Sequence, residues 1–440
     1  MEIVAFIVGV VLLVVGLAVS IALHEIGHLV PAKKFGVRVG QYMVGFGPTL
    51  WSRRRGETEY GIKGIPLGGY ISMAGMYPPA ASASAEGRAG GGFFATMVQD
   101  ARAANDETLI GDDDDRVFYR LPVYKRVIIM LGGPVMNLLL AIVLFTILLS
   151  GIGIQTATTT VASVNECVIP ADAGRTECAA SDPVAPAASA GFAAGDEIIA
   201  VDGEPVSTFT EVSDAIKASP DERMEIVVLR DGAEYTLVMT PVAVEQQVYD
   251  DNGQPVVADD GTPETAVVGV AGIRQEVGFE RQPIWAGAQM AADNVQAVAG
   301  IIWQLPVKVW ETGVATVTGQ ERDPNGPLSV VGAGVIAGEV AAADAPVLNR
   351  VAGLLSLLAS LNIALFVFNL VPLLPLDGGH IAVALWDGIK RTWAKLTGRP
   401  APKPVDATKL VPVTFVVVVG LIVMSAVLII SDLVNPLSLF

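Results

Sequence analysis

The feature that most constrains this chain is a set of four apolar stretches, residues 3–23, 127–152, 351–371 and 410–430, each almost free of charge. An α-helix rises 1.5 Å per residue, so roughly twenty apolar residues match a hydrocarbon core about 30 Å thick. Four such stretches in a chain of 440 residues that is 52% hydrophobic are hard to place as core helices of a soluble protein. They read as membrane spans. The first follows Glu2, with no Lys or Arg before it and no small-residue cleavage site after it. It therefore reads as a retained helix rather than a secretory signal.

Charge sets the expected topology. Lys33, Lys34, Arg38, Arg53, Arg54, Arg55, Lys63, Lys125 and Arg126 gather between the first two spans, and Lys390, Arg391, Lys395, Arg399 and Lys403 between the last two. The long segment 153–349 is acidic. Basic connections stay in the cytoplasm. This predicts a cell-membrane protein whose long segment and two termini are extracytoplasmic. An apolar pattern at 285–310 is interrupted by Asp293, Gln304, Pro306 and Lys308, and reads as amphipathic helix on the outer face. The net charge of −17 argues against nucleic acid as a partner. Cys167 and Cys178, the two cysteines, lack metal-ligand spacing and fall in the segment expected outside, where a disulfide between them can form.

The expected order is a first span at 1–34, a strand-rich β-hairpin region at 35–77 turning at Arg55 and Gly56, and an insertion at 78–118. Within that insertion, residues 78–115 are rich in Ala, Gly and Ser, end in four aspartates and read as a disordered, acidic cytoplasmic segment. A second span at 119–152 leads to an outer α+β domain at 153–245, then a linker with amphipathic helices at 246–345 that includes a polar loop at 250–265. A third span at 346–372, a cytoplasmic loop at 373–409 and a fourth span at 410–432 complete it. In the outer domain, the small residues from Pro186, the Gly195–Asp196 turn, the apolar run from Ile198 and the Asp202–Gly203 hairpin signal fall within about twenty residues. They resemble the PDZ domains of bacterial proteases, with 209–218 as that fold's helix. Such domains take peptide ends by adding a strand to a sheet edge.

The chemistry is concentrated in His24-Glu25-Ile26-Gly27-His28. Residues four apart share a helix face, so both imidazoles can reach one tetrahedral zinc, and Glu25 can act on water rather than on the metal. Two of the chain's three histidines form this pair, and ionisable groups in or beside a spanning helix are costly unless they function. A catalytic zinc needs a third protein ligand. Asp377, in Asn369-Leu-Val-Pro-Leu-Leu-Pro-Leu-Asp377-Gly-Gly-His380, follows the third span, and His380 is a rival. The expected topology runs the first and third helices the same way, which brings both sets of residues to one depth.

These motifs together resemble the site-2 protease family of zinc intramembrane metalloproteases, in its bacterial PDZ-containing form. The resemblance covers HEIGH at 24–28, GFGP at 45–48, GGPVMN at 132–137, the PDZ-like segment, GPLSVVG at 326–332 and NLVPLLPLDGG at 369–379. It implies a multi-pass α-helical membrane protein with four transmembrane helices, an inserted extracytoplasmic PDZ-like domain and a membrane-associated β-hairpin on the cytoplasmic side. It further implies Zn2+ held by His24, His28 and Asp377, Glu25 as catalytic base, and Asn369 as a substrate or oxyanion contact, with Gly45, Phe46 and Gly47 in the hairpin touching substrate. The expected partners are the lipid bilayer and single-span membrane proteins, such as anti-sigma factors or remnant signal peptides, already trimmed by another protease. A non-catalytic scaffold is disfavoured by the intact HEIGH and Asp377. A metal transporter is disfavoured because the ligands gather at one depth.

Overall fold

A computed structural model describes residues 2–76, 97–99, 115–169, 178–179, 182–247, 264–324, 326–400, 402–405 and 407–437. Most of the acidic insertion read at 78–118, and of the polar loop read at 250–265, lies outside the described residues. The chain divides into two compact units, Met1–Ile152 with Gln282–Phe440, and Gly153–Arg281.

Helix α1, Glu2–Lys34, carries the first apolar stretch without a break. Glu2 in its first turn and Lys33 and Lys34 in its last complement the helix dipole. Strands β1 (Val39–Arg55) and β2 (Thr58–Met73) follow and turn at Gly56, whose φ of 64° suits glycine. They form more than a simple ladder. Residues 41–44 of β1 pair with 69–72 and also with 59–62, while the later part of β1 pairs with 58–63. The start of β1 is thus enclosed between the two halves of β2. Gly45 and Gly47, at φ 95° and 81°, let β1 bend between its halves. Helix α2, Val123–Thr146, continues through a π-helical segment to Ile152.

The second unit is built from β3 (Ile154–Val164), α3 (Pro186–Ala190), β4 (Glu197–Val201), β5 (Glu204–Pro205), α4 (Phe209–Ala218), β6 (Met224–Arg230), β7 (Ala233–Met239), β8 (Val242–Gln247), β9 (Thr265–Val270) and β10 (Ile273–Glu280). Its antiparallel sheet runs β10-β3-β4-β6-β7 with β5 beside β4, and β8 and β9 form a separate hairpin. The helix expected at 209–218 is α4. Thr208 and Glu211 close a capping box at its start, and Val212 and Ile216, one turn apart, are buried. They join Val161, Ile198, Met224, Ile226 and Val228 in one core. Asp196 is buried and held by both Nε and Nη2 of Arg230, at 2.6 and 2.7 Å. Cys167 and Cys178 are disulfide-bonded, as expected.

The first unit resumes with α5 (Ala286–Ile302), α6 (Leu305–Thr318), α7 (Val330–Ala342), α8 (Val347–Asn369), α9 (Asp377–Leu396) and α10 (Val411–Val434). The pattern read at 285–310 is divided between α5 and α6, which are separated at Trp303 and Gln304. Ala291 of α5 packs into a cluster with Ala141, Phe145, Ala359 and Ile363 of α2 and α8. Helix α7, too short to register as a span, packs Ala333 and Ala337 on Leu13 of α1. One expectation is corrected. The stretch 373–409, read as a loop, contains the twenty-residue helix α9. Gly378 and Gly379 do not break that helix. A Cβ on either would collide with backbone atoms of residues 370–374, so these glycines let the first turn of α9 pack tightly against the preceding proline-rich turn.

Four helical segments, Glu2–Lys34, Val123–Ile152, Val347–Asn369 and Thr408–Val434, are long and apolar enough to cross a membrane. Polar ties fasten them. Asn362 Nδ2 donates to Ser20 Oγ (3.0 Å), joining α8 to α1 where both side chains are fully buried. Near the end of α10, Asp432 pairs with Arg322 (2.6 Å) and accepts from the Ser329 backbone N–H (2.8 Å), and both charged side chains are about 1% exposed.

Candidate metal centre

His24 and His28 lie on one face of α1, as their spacing requires. Their Nε2 atoms are 3.1 Å apart, and Asp377 Oδ2 stands 3.3 Å from each. Tetrahedral zinc with bonds of about 2.0–2.1 Å spaces its ligand atoms by about 3.3 Å. The three atoms therefore form one face of a zinc-sized tetrahedron, which leaves the fourth corner for water or substrate.

Two further observations fit a metal here. Asp377 Oδ2 is buried without a hydrogen-bond partner, an expensive arrangement for a carboxylate oxygen unless a cation faces it. Gly133 of α2 backs the pair. A Cβ there would stand 2.7 Å from His24 Nε2 and overlap His28 Nε2. Burial pushes the Asp377 carboxyl up, and the two facing imidazoles pull it down further, so it lies below the usual carboxylate range.

The surroundings follow from sequence. Gly27 and Gly132 bring α1 and α2 into backbone contact, since a Cβ on either would run into the other's carbonyl. Pro134, inside α2, lacks an N–H and disturbs the preceding turn. The carbonyl left without its helical donor is that of Met130, and the adjacent Ile129 carbonyl accepts His28 Nδ1–H at 2.7 Å, which leaves Nε2 its lone pair. Glu25 is buried, within electrostatic reach of both imidazoles and Asp377. A Cβ on Gly69 of β2 would come 3.0 Å from Glu25 Cγ, so the bare strand passes directly beside this carboxylate. Tyr42 of β1 donates to the Ala22 carbonyl of α1 (2.8 Å). Burial, with Glu25 and Tyr60 adding to it, pushes its hydroxyl up to about 12.

The other expected residues lie on β1 and at the end of α8. Asn369 ends α8 and is half-buried. Phe46 is 46% exposed and stacks on Tyr70, while a Cβ on Gly68 would overlap its ring. Gly45 and Gly47 flank it in β1. His380, the rival ligand, is not among the converging atoms. An apolar cavity of about 420 Å³ adjoins the turn before Asp377, lined by Leu373, Leu374, Gly379, Leu410, Val413 and Val417. The sequence motif GGPVMN contains Gly133 but does not disclose its role, and no sequence signal points to the role of Ile129 or Gly27.

Spanning helices that bring a helix-borne His pair together with a carboxylate from another helix define a membrane metallopeptidase. The profile of peptidase family M50 matches residues 12–401, and the chain belongs to that family, the site-2 proteases. It is 36% identical over 446 residues to the zinc metalloprotease Rip1 of Mycobacterium tuberculosis, covering 99% of each chain. It is 34% identical over 444 residues to Rip1 of Mycolicibacterium smegmatis, covering 98% of this chain and 99% of the relative. With the metalloprotease MmpA of Caulobacter vibrioides it shares 28% over 412 residues, 88% of each. It is a multi-pass membrane zinc metalloendopeptidase, with zinc as cofactor.

Proposed function

We propose that this protein is an intramembrane endopeptidase that cuts the transmembrane segments of single-span membrane proteins, with His24, His28 and Asp377 as zinc ligands. The observation that carries the reading is the triangle of His24 Nε2, His28 Nε2 and Asp377 Oδ2, with sides of 3.1, 3.3 and 3.3 Å. When bound, zinc supplies Lewis acidity toward the scissile carbonyl and toward water. Glu25 takes the proton of the attacking water and passes it to the leaving amine. Asn369 donates a hydrogen bond to the oxyanion that develops on the carbonyl.

A substrate helix hides its carbonyls in its own hydrogen bonds and must unwind before it can be cut. The Gly68–Gly69 part of β2 packs closely against α1 beside Glu25, so an extended substrate segment pairing with the β1–β2 ribbon would lie near the base, with Gly45, Phe46 and Gly47 contacting it. The basic connections favour this chemistry on the cytoplasmic side and both termini outside, with the β1–β2 ribbon associated with the membrane there. The Gly153–Arg281 unit, read as PDZ-like from its motifs, would then be extracytoplasmic, where it excludes substrates with bulky ectodomains until another protease has trimmed them. Anti-sigma factors and remnant signal peptides are substrates of the right form.

Glu25→Gln tests the core of this proposal. It should lower cleavage of a model membrane substrate by about 10²–10⁴-fold, the usual contribution of a general base, with zinc content unchanged. Cleavage at the native rate would sink the assignment of the base.

A further inference from the structure

Asn137 sits in α2, one turn beyond Gly133, with its side chain about 1% exposed. Its Nδ2 lies 3.2 Å from Nδ1 of His24, and its Oδ1 is buried without a partner. The two ends of an amide have nearly the same shape, so hydrogen-bonding logic decides which one faces the ring.

If Nδ2 faces the ring, it donates, and His24 Nδ1 must accept. The proton of neutral His24 then sits on Nε2, aimed at the point where His28 Nε2 and Asp377 Oδ2 converge, 3.1 and 3.3 Å away. If the amide is turned over, Oδ1 accepts a proton from Nδ1, and Nε2 carries a lone pair toward that point. In the first orientation Oδ1 is the end left buried without a donor among the described residues. Only the second orientation makes His24 match His28, whose Nδ1–H is already committed to the Ile129 carbonyl. Both imidazoles would then be fixed by α2, one through a backbone carbonyl and the other through a side chain.

Resting on the ligand set proposed above, we propose that Asn137 is a positioning residue that accepts the Nδ1–H of His24 through Oδ1, setting the tautomer and ring orientation in which His24 binds zinc. Groups in this outer position typically change metal affinity by about 10–100-fold. The requirement is for an acceptor, which volume or a donated N–H cannot replace.

The test uses the detergent-purified full chain, with zinc affinity read by competition with a chromogenic chelator and ligand geometry by the visible spectrum of the cobalt-substituted protein. Asn137→Leu, which keeps the volume and loses the acceptor, should bind zinc about 10–100-fold more weakly. Asn137→Asp keeps an acceptor and loses the donor, and should bind at least as tightly as the native protein with an unchanged cobalt spectrum. The Asp variant keeps the proposal open to refutation even if the Leu variant fails to fold, because a carboxylate can only accept from Nδ1: weaker zinc binding in Asn137→Asp would overturn it. Native affinity in Asn137→Leu, or equal loss in both variants, overturns the proposal. His24→Ala separates the two layers. Loss of zinc in that variant upholds the ligand set, whatever Asn137 does. Retention would overturn the ligand set and Asn137's role with it.

Discussion

Gly133→Ala is a sharp perturbation of this centre because it adds one methyl group and no charge. The new Cβ would stand 2.6 Å from His28 Cε1 and 2.7 Å from His24 Nε2, whereas unstrained heavy-atom contacts begin near 3.5 Å. Both rings would have to retreat by about 1 Å. His28 cannot do so and keep its 2.7 Å bond to the Ile129 carbonyl, and α2 cannot withdraw without opening the Gly27–Gly132 contact. Loss of one buried hydrogen bond costs about 1–3 kcal/mol, and 1.4 kcal/mol is tenfold in affinity. Zinc binding should therefore weaken by about ten- to a hundredfold. The same clash is present before zinc binds, so the metal-free fold should lose stability too, offset by about 1 kcal/mol because alanine is favoured over glycine inside a helix. The assay is zinc affinity by chelator competition, alongside thermal unfolding with chelator present. Native zinc affinity in Gly133→Ala would refute the argument that this glycine makes room for the ligand nitrogens.

Asp432→Asn should leave Arg322 buried and poorly paired, and destabilise the protein by about 3–5 kcal/mol; thermal unfolding in detergent at the native temperature would show that the pair contributes nothing. In the Gly153–Arg281 unit, the Arg230 guanidinium beside Asp196 holds its carboxyl below the usual range. A carboxylate depressed by folding stabilises fully above its unfolded value of about 3.9 and loses that contribution as pH falls through the folded value. Hydrogen-exchange protection of this unit should thus decline below about pH 4. Asp196→Asn should flatten that decline and cost about 1.5–3 kcal/mol at neutral pH, so an unaltered acid profile would count against the pair.

The parts of this protein that were legible in sequence are those encoded by local periodicity. The spans announced themselves by length, His24 and His28 by their helical spacing, and α4 by the resemblance of its segment to a PDZ domain. Asp377 was reachable only by adding a topological argument, and the geometry brings it to the histidine pair. The misreading of 373–409 has a definite cause. Two adjacent glycines ordinarily disfavour a helix, whereas here the lack of side chains at Gly378 and Gly379 is what lets α9 begin against the turn at 370–374. Gly133, Asn137 and the Ile129 carbonyl act through space on another helix, and nothing in their own neighbourhood reveals the partner. A usable signal did exist: Ser20, Asn137 and Asn362 are polar side chains inside otherwise apolar spans, and each is committed to a tie between helices.

The bond between Asn362 and Ser20 bears on how the enzyme would handle its ion. Ser20 lies one turn before His24 and is itself anchored to the Gly16 carbonyl. Sliding α8 along α1 by one turn, a step of 5.4 Å, would break the Asn362–Ser20 bond and leave Asn362 only the Leu358 carbonyl of its own helix. The axial alignment that delivers Asp377 to the imidazoles is thus enforced by a fastening that contains no metal. Chelation should extract the ion without loosening the helices around it, which makes recharging a matter of entry into a cradle already shaped.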